Sequence, residues 1–556
     1  MTEPFRRLAD PVVGDDGRLK GMSVLTPETM TTIGAFVIPS SKVIPIIVVP
    51  GIMGSNLRAT TNRRQLQNRE LAAGSPAWRP PNGTKESVKA LLAWKDRNPA
   101  QRQRILDGDT LEVDNSGLIS LPDSADGMTV DNMRTRWWGE VHADSYGPLL
   151  AALQINLNST FLPGIPARKR KPRPYWDEVM KYDRASWNAT DLAALTEQEL
   201  EKFAQYQYPV YACGYNWVRS NEFSAERLKN RVLEIIKFWA DRKHVCKQVI
   251  IVTHSMGGLV GRACAKLIPD QILGVIHGVM PALGAPLAYR RIVSGTEQSA
   301  PGAGRIDRFK MSGFATIAGD TPEKTTPTMA TACGPLELLP NHLYPSPWLF
   351  ASVRRPDGTI VDVAALQHSN IYDLYRDYDA WFRLIDPELA DPAGRYEGSR
   401  DGVKRACDKA VNQAEKFHTK ILDTYYHPNT YAYYGADATK LSFGTFRWVT
   451  DEQRALTDPV RSLLPTGIPM VSLQTGNRFM HMPEIYKLPV WEMQFTPGDQ
   501  DTPGDGTVSQ QSGDGPRGKV RRVFRTTGYD HQGSYANEHM LSLTHHLICK
   551  IVQEAK

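Results

Sequence analysis

Cysteine is scarce in this sequence, and no two cysteines are closely spaced. The 556 residues contain six of them, at positions 213, 246, 264, 333, 407 and 549, without a C-x-x-C pair. This spacing argues against a zinc site and against the dense disulfide framework of small secreted domains. We therefore predict no bound metal and no cofactor.

The sequence also lacks a long uninterrupted apolar run. Its N-terminus has no apolar segment followed by a small-residue cleavage site, so no ordinary signal peptide is predicted. The most apolar stretch, residues 33–54, contains Lys42 and three prolines. This composition excludes a membrane-spanning helix and favours buried strands. We expect a chain made in the cytoplasm, with export by a route that needs no signal peptide left open.

Strong net charge is absent as well. Sixty-six Lys and Arg residues face 60 Asp and Glu residues, a formal net charge of +6, and 41% of the residues are hydrophobic. Such a balance is typical of soluble globular proteins and does not indicate nucleic-acid binding. The densest charge is the basic segment Arg168–Arg173. It fits either a solvated loop or a contact with the head groups of anionic lipids.

Apolar runs alternate with amphipathic helices along the chain. This alternation predicts an α/β fold with a mostly parallel central sheet and helices on both faces. Besides the strand that begins at Gln248, the sheet-like runs are residues 43–49, 209–212, 272–279, 468–473, 490–495 and 519–524. A final helix is expected at about 537–553.

One junction between a strand and a helix has the pattern of a nucleophile elbow. Residues 248–263 read as a buried strand, a tight turn at Ser255 and a helix. Such a turn lifts the serine hydroxyl above the sheet edge and points backbone N–H groups at a developing oxyanion. Gly257 fits the usual G-x-S-x-G pattern, whereas Thr253 departs from it. The alternative is a chance serine on a turn, which the flanking strand and helix disfavour.

A serine hydroxyl needs a histidine base, and the histidine needs an orienting carboxylate. In α/β-hydrolases the chain order is Ser, then Asp or Glu, then His, with the partners on loops after late strands. Asp505, within Gly-Asp-Gly-Thr-Val, and His531, in the loop before the last helix, satisfy this order. They are the candidate acid and base.

Other side chains compete for these roles. Asp499 and Asp501 could join Asp505 in a calcium site, since calcium prefers oxygen ligands. Asp530 is a rival acid on another loop, and His539 is a rival base inside the predicted last helix. Three further histidines are interpreted as structural: His254, His545 and His546.

Four separated segments resemble one branch of lipases. They are Val49–Leu57, Tyr215–Arg219, the elbow and Gly504–Val508. The branch contains lecithin:cholesterol acyltransferase, lysosomal phospholipase A2 and the inositol deacylases of glycolipid anchors. The resemblance implies an α/β-hydrolase fold with Ser255 as nucleophile, Asp505 as acid and His531 as base. It also implies an oxyanion hole made by the N–H groups of Ile52 and Met256.

These features together predict a domain order. An N-terminal arm, residues 1–40, precedes the first part of the hydrolase core, 41–287, which carries insertions at about 60–135 and 155–205. A cap over the active site occupies 288–465. The second part of the core, 466–556, carries the acid and the base.

The activity implied by the resemblance is serine-dependent hydrolysis of a lipid ester at a membrane surface, most simply of phospholipase A type through an acyl-enzyme. The alternatives are a lipid acyltransferase, a housekeeping intracellular lipase and a catalytically inactive binding module. A lipase of this composition without a signal peptide also resembles bacterial effectors delivered by type VI secretion. Such an effector would act in the periplasm of a target cell and would have the secretion apparatus and an immunity protein as partners.

Overall fold

The structure is a computed structural model that describes residues 12–13, 19–20, 40–62, 70–123, 128–162, 171–298, 305–470, 475–482 and 491–556. Most of the predicted N-terminal arm and the basic residues 168–170 therefore lie outside the described residues. Across the described ranges, no helix has the length and apolarity needed to cross a membrane.

The strands of the described residues are β1 (Val12–Val13), β2 (Leu19–Lys20), β3 (Ile46–Val49), β4 (Leu57–Ala59), β5 (Pro76–Trp78), β6 (Leu111–Val113), β7 (Val210–Ala212), β8 (Val249–His254), β9 (Ile272–Gly278), β10 (Leu349–Arg354), β11 (Ile360–Ala365), β12 (Thr430–Gly435), β13 (Asp437–Ser442), β14 (Phe446–Thr450), β15 (Ile468–Pro469), β16 (Arg478–Met482), β17 (Trp491–Pro497), β18 (Thr502–Gly504) and β19 (Arg522–Thr526). The α-helices are α1 (Gly83–Lys95), α2 (Pro99–Ile105), α3 (Val130–Thr135), α4 (Ala143–Leu157), α5 (Pro174–Lys181), α6 (Glu197–Phe203), α7 (Asn221–Asp241), α8 (Gly257–Leu267), α9 (Pro286–Ser294), α10 (Arg305–Ala318), α11 (Pro322–Met329), α12 (Cys333–Leu336), α13 (Ile371–Arg376), α14 (Pro387–Ala390), α15 (Arg400–Lys416), α16 (Asp458–Leu463), α17 (Gln510–Gly513) and α18 (Glu538–Val552).

Six parallel strands form the central sheet, in the order β19-β12-β9-β8-β3-β7. Every residue of β3, β8 and β9 is buried, as expected of parallel strands that are covered on both faces. The chain leaves β3 for β7 on one side and returns to β8 on the other side. This reversal of strand order opens a crevice at the carboxyl ends of β3 and β8, which is where α/β sheets bind ligands. The predicted α/β fold with a mostly parallel sheet is confirmed.

Side chains of β3 point alternately to the two faces of this sheet. Ile46 and Val48 join a core that also holds residues of α4, α5, α6 and α18. Ile47 and Val49 join a second core, with residues of α7 and α8. Period-two alternation thus lets one short strand anchor both helical layers.

A second sheet has the order β11-β10-β14-β17-β16-β15 and its own apolar core. The predicted strands 468–473 and 490–495 fall in this sheet where they are described, as β15 and β17, rather than in the central sheet. Within that core the ring of Trp381 stacks on Phe495 at 4.3 Å between centroids. Buried and exposed residues alternate in the middle of β17, a pattern typical of strands with one solvated face.

One strand of the central sheet comes from the segment predicted as cap. Strand β12, Thr430–Gly435, pairs with β9 and with β19. Its sequence, Thr-Tyr-Ala-Tyr-Tyr-Gly, lacks the valine and isoleucine run of a buried parallel strand, although five of its six residues are buried. The predicted cap range 288–465 and the boundary at 465/466 are therefore corrected, because the central sheet and the second sheet each take strands from both sides.

Glu140 joins the first insertion to α7 and to the end of β7. Its Oε1 accepts hydrogen bonds from the Arg227 and Arg231 guanidinium groups at 2.9 and 3.0 Å, and its Oε2 accepts one from Gly214 N–H at 2.9 Å. The backbone carbonyl of Glu140 accepts the N–H of Asn56. A single buried carboxylate thus holds the chain that follows β3.

We expect Glu140→Gln to lower the free energy of unfolding by about 3 kcal/mol, because it leaves two guanidinium groups without a buried counter-charge. Urea unfolding followed by circular dichroism measures the change. Glu234→Gln is the matched control, since Glu234 contacts the same Arg231 at 3.7 Å but its side chain is 62% exposed. The control should change stability by less than about 0.5 kcal/mol. Equal effects of the two variants would contradict the role given to Glu140.

Candidate active site

Ser255 lies in the turn between β8 and α8, at the carboxyl edge of the central sheet. Its φ is +53°, a left-handed conformation that side chains other than glycine seldom adopt. The N–H of Ser255 donates to the carbonyl of Gly278 at the end of β9, at 2.9 Å. The neighbouring strand therefore holds the strained residue in place.

Close packing of α8 on the sheet explains the small residues of the elbow. A Cβ at Gly257 would lie 2.4 Å from the carbonyl oxygen of Pro50, and a Cβ at Gly261 would lie 2.8 Å from Cγ2 of Thr253. Thr253 thus fits the first position of the motif because the facing helix residue is a glycine. Its hydroxyl also contacts Nδ1 of His277 at 2.8 Å.

His531 and Asp505 meet Ser255 in one hydrogen-bonded series. Nε2 of His531 lies 2.8 Å from Oγ of Ser255, and Nδ1 lies 2.8 Å from Oδ2 of Asp505. The N–H of His531 also donates to the Asp505 carbonyl. The second carboxylate oxygen of Asp505 accepts the N–H groups of Thr507 and Val508. These contacts give the histidine a fixed orientation, with Nδ1–H directed at the carboxylate and Nε2 free to accept the serine proton.

Asp505 reaches this position by an unexpected path. In sequence it follows β18, which pairs with β13, and not the strand at 490–495 that was predicted to precede it in the central sheet. In space it lies at the end of β12, where a Cβ at Gly435 would be 2.7 Å from the Cβ of Asp505. The chain leaves the central sheet after β12, passes through the second sheet and returns with the carboxylate.

A tight turn after β3 holds the predicted oxyanion residue Ile52. The N–H of Gly54 donates to the carbonyl of Gly51 at 3.1 Å, and Met53 has a φ of +61°. The other predicted residue, Met256, immediately follows Ser255 at the start of α8. Within the described chain, neither Ile52 nor Met256 donates its N–H to another protein group. Both amides are thus available to a ligand oxygen.

A buried tyrosine and histidine connect this turn to His531. The N–H of Gly51 donates to the hydroxyl of Tyr146 at 2.9 Å, the hydroxyl lies 2.9 Å from Nδ1 of His254, and Nε2 of His254 lies 2.9 Å from the carbonyl oxygen of His531. Burial raises the pKa of Tyr146 to about 12 and lowers the pKa of His254 to about 3. The tyrosine therefore keeps its proton for Nδ1, and the neutral histidine donates from Nε2 to the carbonyl.

Two aromatic residues support the same turn from the other side. Tyr215 donates its hydroxyl to the carbonyl of Pro50 at 3.0 Å, and Trp78 donates Nε1–H to the carbonyl of Met53 at 2.8 Å. Trp217 packs edge-on against Trp78. Two residues of the Tyr215–Arg219 segment thus contact the turn directly or through Trp78.

The rival side chains have other contacts. Asp501 pairs with Arg447 at 2.7 Å and accepts the N–H of Gly444. Asp530 is exposed and accepts the N–H of Gly533, while His539 contacts the hydroxyl of Tyr182. Among the described residues, no group of three or more His, Cys, Asp or Glu side chains is placed to hold a metal ion.

Tyr146 and Trp78 were not among the predicted site residues. Tyr146 falls on the apolar face of α4, where a tyrosine reads as a core residue, and Trp78 lies in a segment without clear periodicity. No local pattern distinguishes a tyrosine that only packs from one that also bridges two loops. His254 was interpreted as structural, and the contacts place it in the link between the turn and His531.

The central sheet, the elbow and the order of its partners define an α/β-hydrolase fold. No protein-family model and no curated protein matches the sequence. A chain of the crystal structure of the Tle4–Tli4 complex is similar, with 26% identity and a TM-score of 0.73 over 92% of this chain and 99% of that chain. Phospholipase PlaB from Legionella pneumophila aligns with 10% identity and a TM-score of 0.15 over 63% of this chain and 90% of that chain, and this low score supports no inference.

We expect the stability of the fold to decrease as the pH falls from about 6.5 towards 3. Burial lowers the pKa of five histidines, to about 3 for His254, His277 and His546 and to about 4 for His418 and His545. In this pH range the unfolded chain binds protons that the folded chain does not, so each histidine costs up to about 1.4 kcal/mol per pH unit.

The urea midpoint measured at several pH values tests this expectation. His277→Gln should reduce the pH dependence, because it removes one of the buried neutral imidazoles. His368→Gln is the control, since the His368 side chain is 35% exposed beside Asp377 and should leave the dependence unchanged. A midpoint that is the same at pH 7.5 and pH 5 would contradict the expectation.

Proposed function

We propose that this chain is a serine-dependent lipid ester hydrolase, of phospholipase A type, that works through an acyl-enzyme. The proposal rests on one observation above all, the hydrogen-bonded series of Ser255, His531 and Asp505 beside two unpaired backbone amides. That arrangement matches the requirements of nucleophilic acyl transfer.

In the acylation step, Oγ of Ser255 attacks the ester carbonyl while Nε2 of His531 takes the hydroxyl proton. The carbonyl oxygen becomes an oxyanion, which the N–H groups of Ile52 and Met256 stabilise. Collapse of the tetrahedral intermediate breaks the ester bond. The leaving alcohol takes the proton from His531, and the acyl group stays on Ser255.

In the deacylation step, His531 removes a proton from water, and the water oxygen attacks the acyl-enzyme. The second intermediate expels Oγ of Ser255, which recovers its proton from His531. A fatty acid leaves. Asp505 remains ionised throughout and stabilises the imidazolium that forms twice in the cycle.

The position of Tyr146 and His254 gives them a positioning role in this proposal. They join the N–H of Gly51, next to Ile52, to the backbone carbonyl of His531. The oxyanion turn and the base are thereby kept in register. Both groups lie behind the nucleophile in the protein interior and take no proton from the substrate.

Lipid acyl transfer is the second form of the same chemistry, in which a lipid alcohol replaces water. The catalytic residues are identical, and the difference lies in the acceptor. A catalytically inactive binding module is disfavoured by the complete Ser, His and Asp series at hydrogen-bonding distances. A housekeeping intracellular lipase is the alternative to a secreted effector.

We propose the effector role because the chain resembles type VI lipase effectors and because its similarity to a chain of the Tle4–Tli4 complex covers nearly the full length of both. Tle4 forms a complex with Tli4. By analogy, a dedicated immunity protein would bind this chain and prevent hydrolysis of lipids in the producing bacterium.

We expect the protein to release fatty acid and lysolipid from mixed phospholipids, and Ser255→Ala to abolish the release because it removes the nucleophile. Product analysis by mass spectrometry measures both. Asp505→Asn should lower kcat about ten-thousand-fold, because the histidine would be held in the wrong tautomer. Asp530→Asn is the matched control and should retain full activity. Activity that survives Ser255→Ala would refute the serine mechanism.

We expect the protein directed to the periplasm of Escherichia coli to reduce viability and to deplete membrane phospholipid, since its substrate faces that compartment. The same protein kept in the cytoplasm and the Ser255→Ala variant in the periplasm are the controls. Colony counts and lipid profiles are the measurements. Full viability with an unchanged lipid profile would argue for the housekeeping alternative.

A further inference from the structure

Helix α1 presents an apolar and basic face to solvent. Val88 is 49% exposed and Leu92 is 58% exposed, one helical turn apart. Lys85, Lys89 and Lys95 are three or four residues from one or both of them, which places them on the same side of the helix. Large apolar side chains this exposed, surrounded by cations, point to a function other than packing.

The three lysines have no partner within the described residues. None of their ammonium groups takes part in a hydrogen bond, an ion pair or a ring contact, although 23% of the chain is charged. The acidic residue of the helix, Glu86, instead accepts the N–H of Asn82 at the helix start. The face therefore carries uncompensated positive charge.

Helix α10 lies beside α1 and extends this basic region. The buried guanidinium of Arg102 donates to the carbonyl of Trp94 in α1 and to the carbonyls of Thr316 and Ile317 in α10, at 2.5, 2.8 and 2.9 Å. Phe314 of α10 is 40% exposed. The two helices together contain six basic and two acidic residues.

Both ends of α1 are attached to the proposed active site. At its start, the N–H of Gly83 donates to the carboxylate of Asp144 at 2.7 Å, two residues before Tyr146. Near its end, Trp94 packs edge-on against Trp78, whose indole donates to Met53 of the oxyanion turn. The exposed face of α1 thus belongs to a helix that contacts the support of the site.

We propose that α1, with the exposed part of α10, docks the protein on an anionic phospholipid bilayer. The proposal rests on the proposed lipid hydrolase function and identifies the surface that meets the substrate membrane. A basic amphipathic helix binds such a surface by shallow insertion of its apolar side chains and by attraction of its cations to the head groups. The cores of protein interfaces are depleted in lysine, so three unpaired lysines around two aliphatic residues favour lipid over a protein partner.

Vesicle sedimentation with the full chain tests the proposal, in a Ser255→Ala background so that the vesicles stay intact. Vesicles of phosphatidylglycerol and phosphatidylethanolamine are compared with vesicles of phosphatidylcholine. Lys85→Gln/Lys89→Gln/Lys95→Gln should weaken binding to the anionic vesicles by on the order of a hundredfold and remove the preference for them. Val88→Ser/Leu92→Ser should weaken binding to the anionic vesicles by about tenfold.

The matched control is Leu233→Ser/Phe238→Ser on α7. Both side chains are 42% exposed, and α7 carries equal numbers of basic and acidic residues. Vesicle binding of this variant should equal that of the parent. Circular dichroism of all three variants confirms that the fold is retained.

Activity measurements with Ser255 present separate this proposal from the proposed function. The α1 variants should hydrolyse a soluble short-chain ester at the parent rate and lose hydrolysis of anionic vesicles. If the parent hydrolyses neither substrate, the hydrolase proposal fails. If the parent hydrolyses the soluble ester and the α1 variants bind and hydrolyse vesicles as the parent does, the docking proposal is wrong. Loss of binding to an inhibitor protein with unchanged vesicle binding would also overturn it in favour of a protein interface.

Discussion

The close approach of α8 to the carboxyl end of β3 is the constraint on which the site depends. Gly257 lets the helix lie against the carbonyls of Val49 and Pro50, where any Cβ would overlap them. That contact brings Ser255, held at a φ of +53°, next to the turn that starts at Gly51. The two candidate oxyanion amides, Ile52 and Met256, belong to these two segments. A larger residue at position 257 would separate the nucleophile from half of its proposed oxyanion hole.

Burial then determines the protonation states that connect the parts of the site. Tyr146 keeps its proton because its pKa is raised to about 12, and His254 stays neutral because its pKa is lowered to about 3. Each group can therefore make one hydrogen bond in one direction, from the Gly51 amide through to the carbonyl of His531. The same burial makes the fold sensitive to acid, since the unfolded chain gains the protons that the interior excludes. Precision at the site and loss of stability at low pH have one physical cause.

The proposed docking face lies on the same framework. Trp94 links α1 to Trp78, and Trp78 holds the carbonyl of Met53, so a lipid surface at α1 would meet the protein beside its oxyanion turn. The basic segment Arg168–Arg173 was the sequence-based candidate for lipid contact, and most of it lies outside the described residues. The structure draws attention to α1 instead, because exposure of Val88 and Leu92 becomes visible only when the packing of the helix is known.

Local sequence determined the α/β fold, the strand-turn-helix at Ser255 and the candidates Asp505 and His531, since each depends on a short pattern of residue types in chain order. Tertiary structure decided which strands share a sheet. The tyrosine-rich β12 joins the central sheet, whereas the more apolar segments near 468 and 490 join the second sheet, because pairing depends on partners far away in the chain. Tertiary structure also placed Asp505 against Gly435 and made Tyr146 a bridge between two loops. Contacts between residues about a hundred or more positions apart leave no periodic trace in the sequence, and these contacts assemble the site.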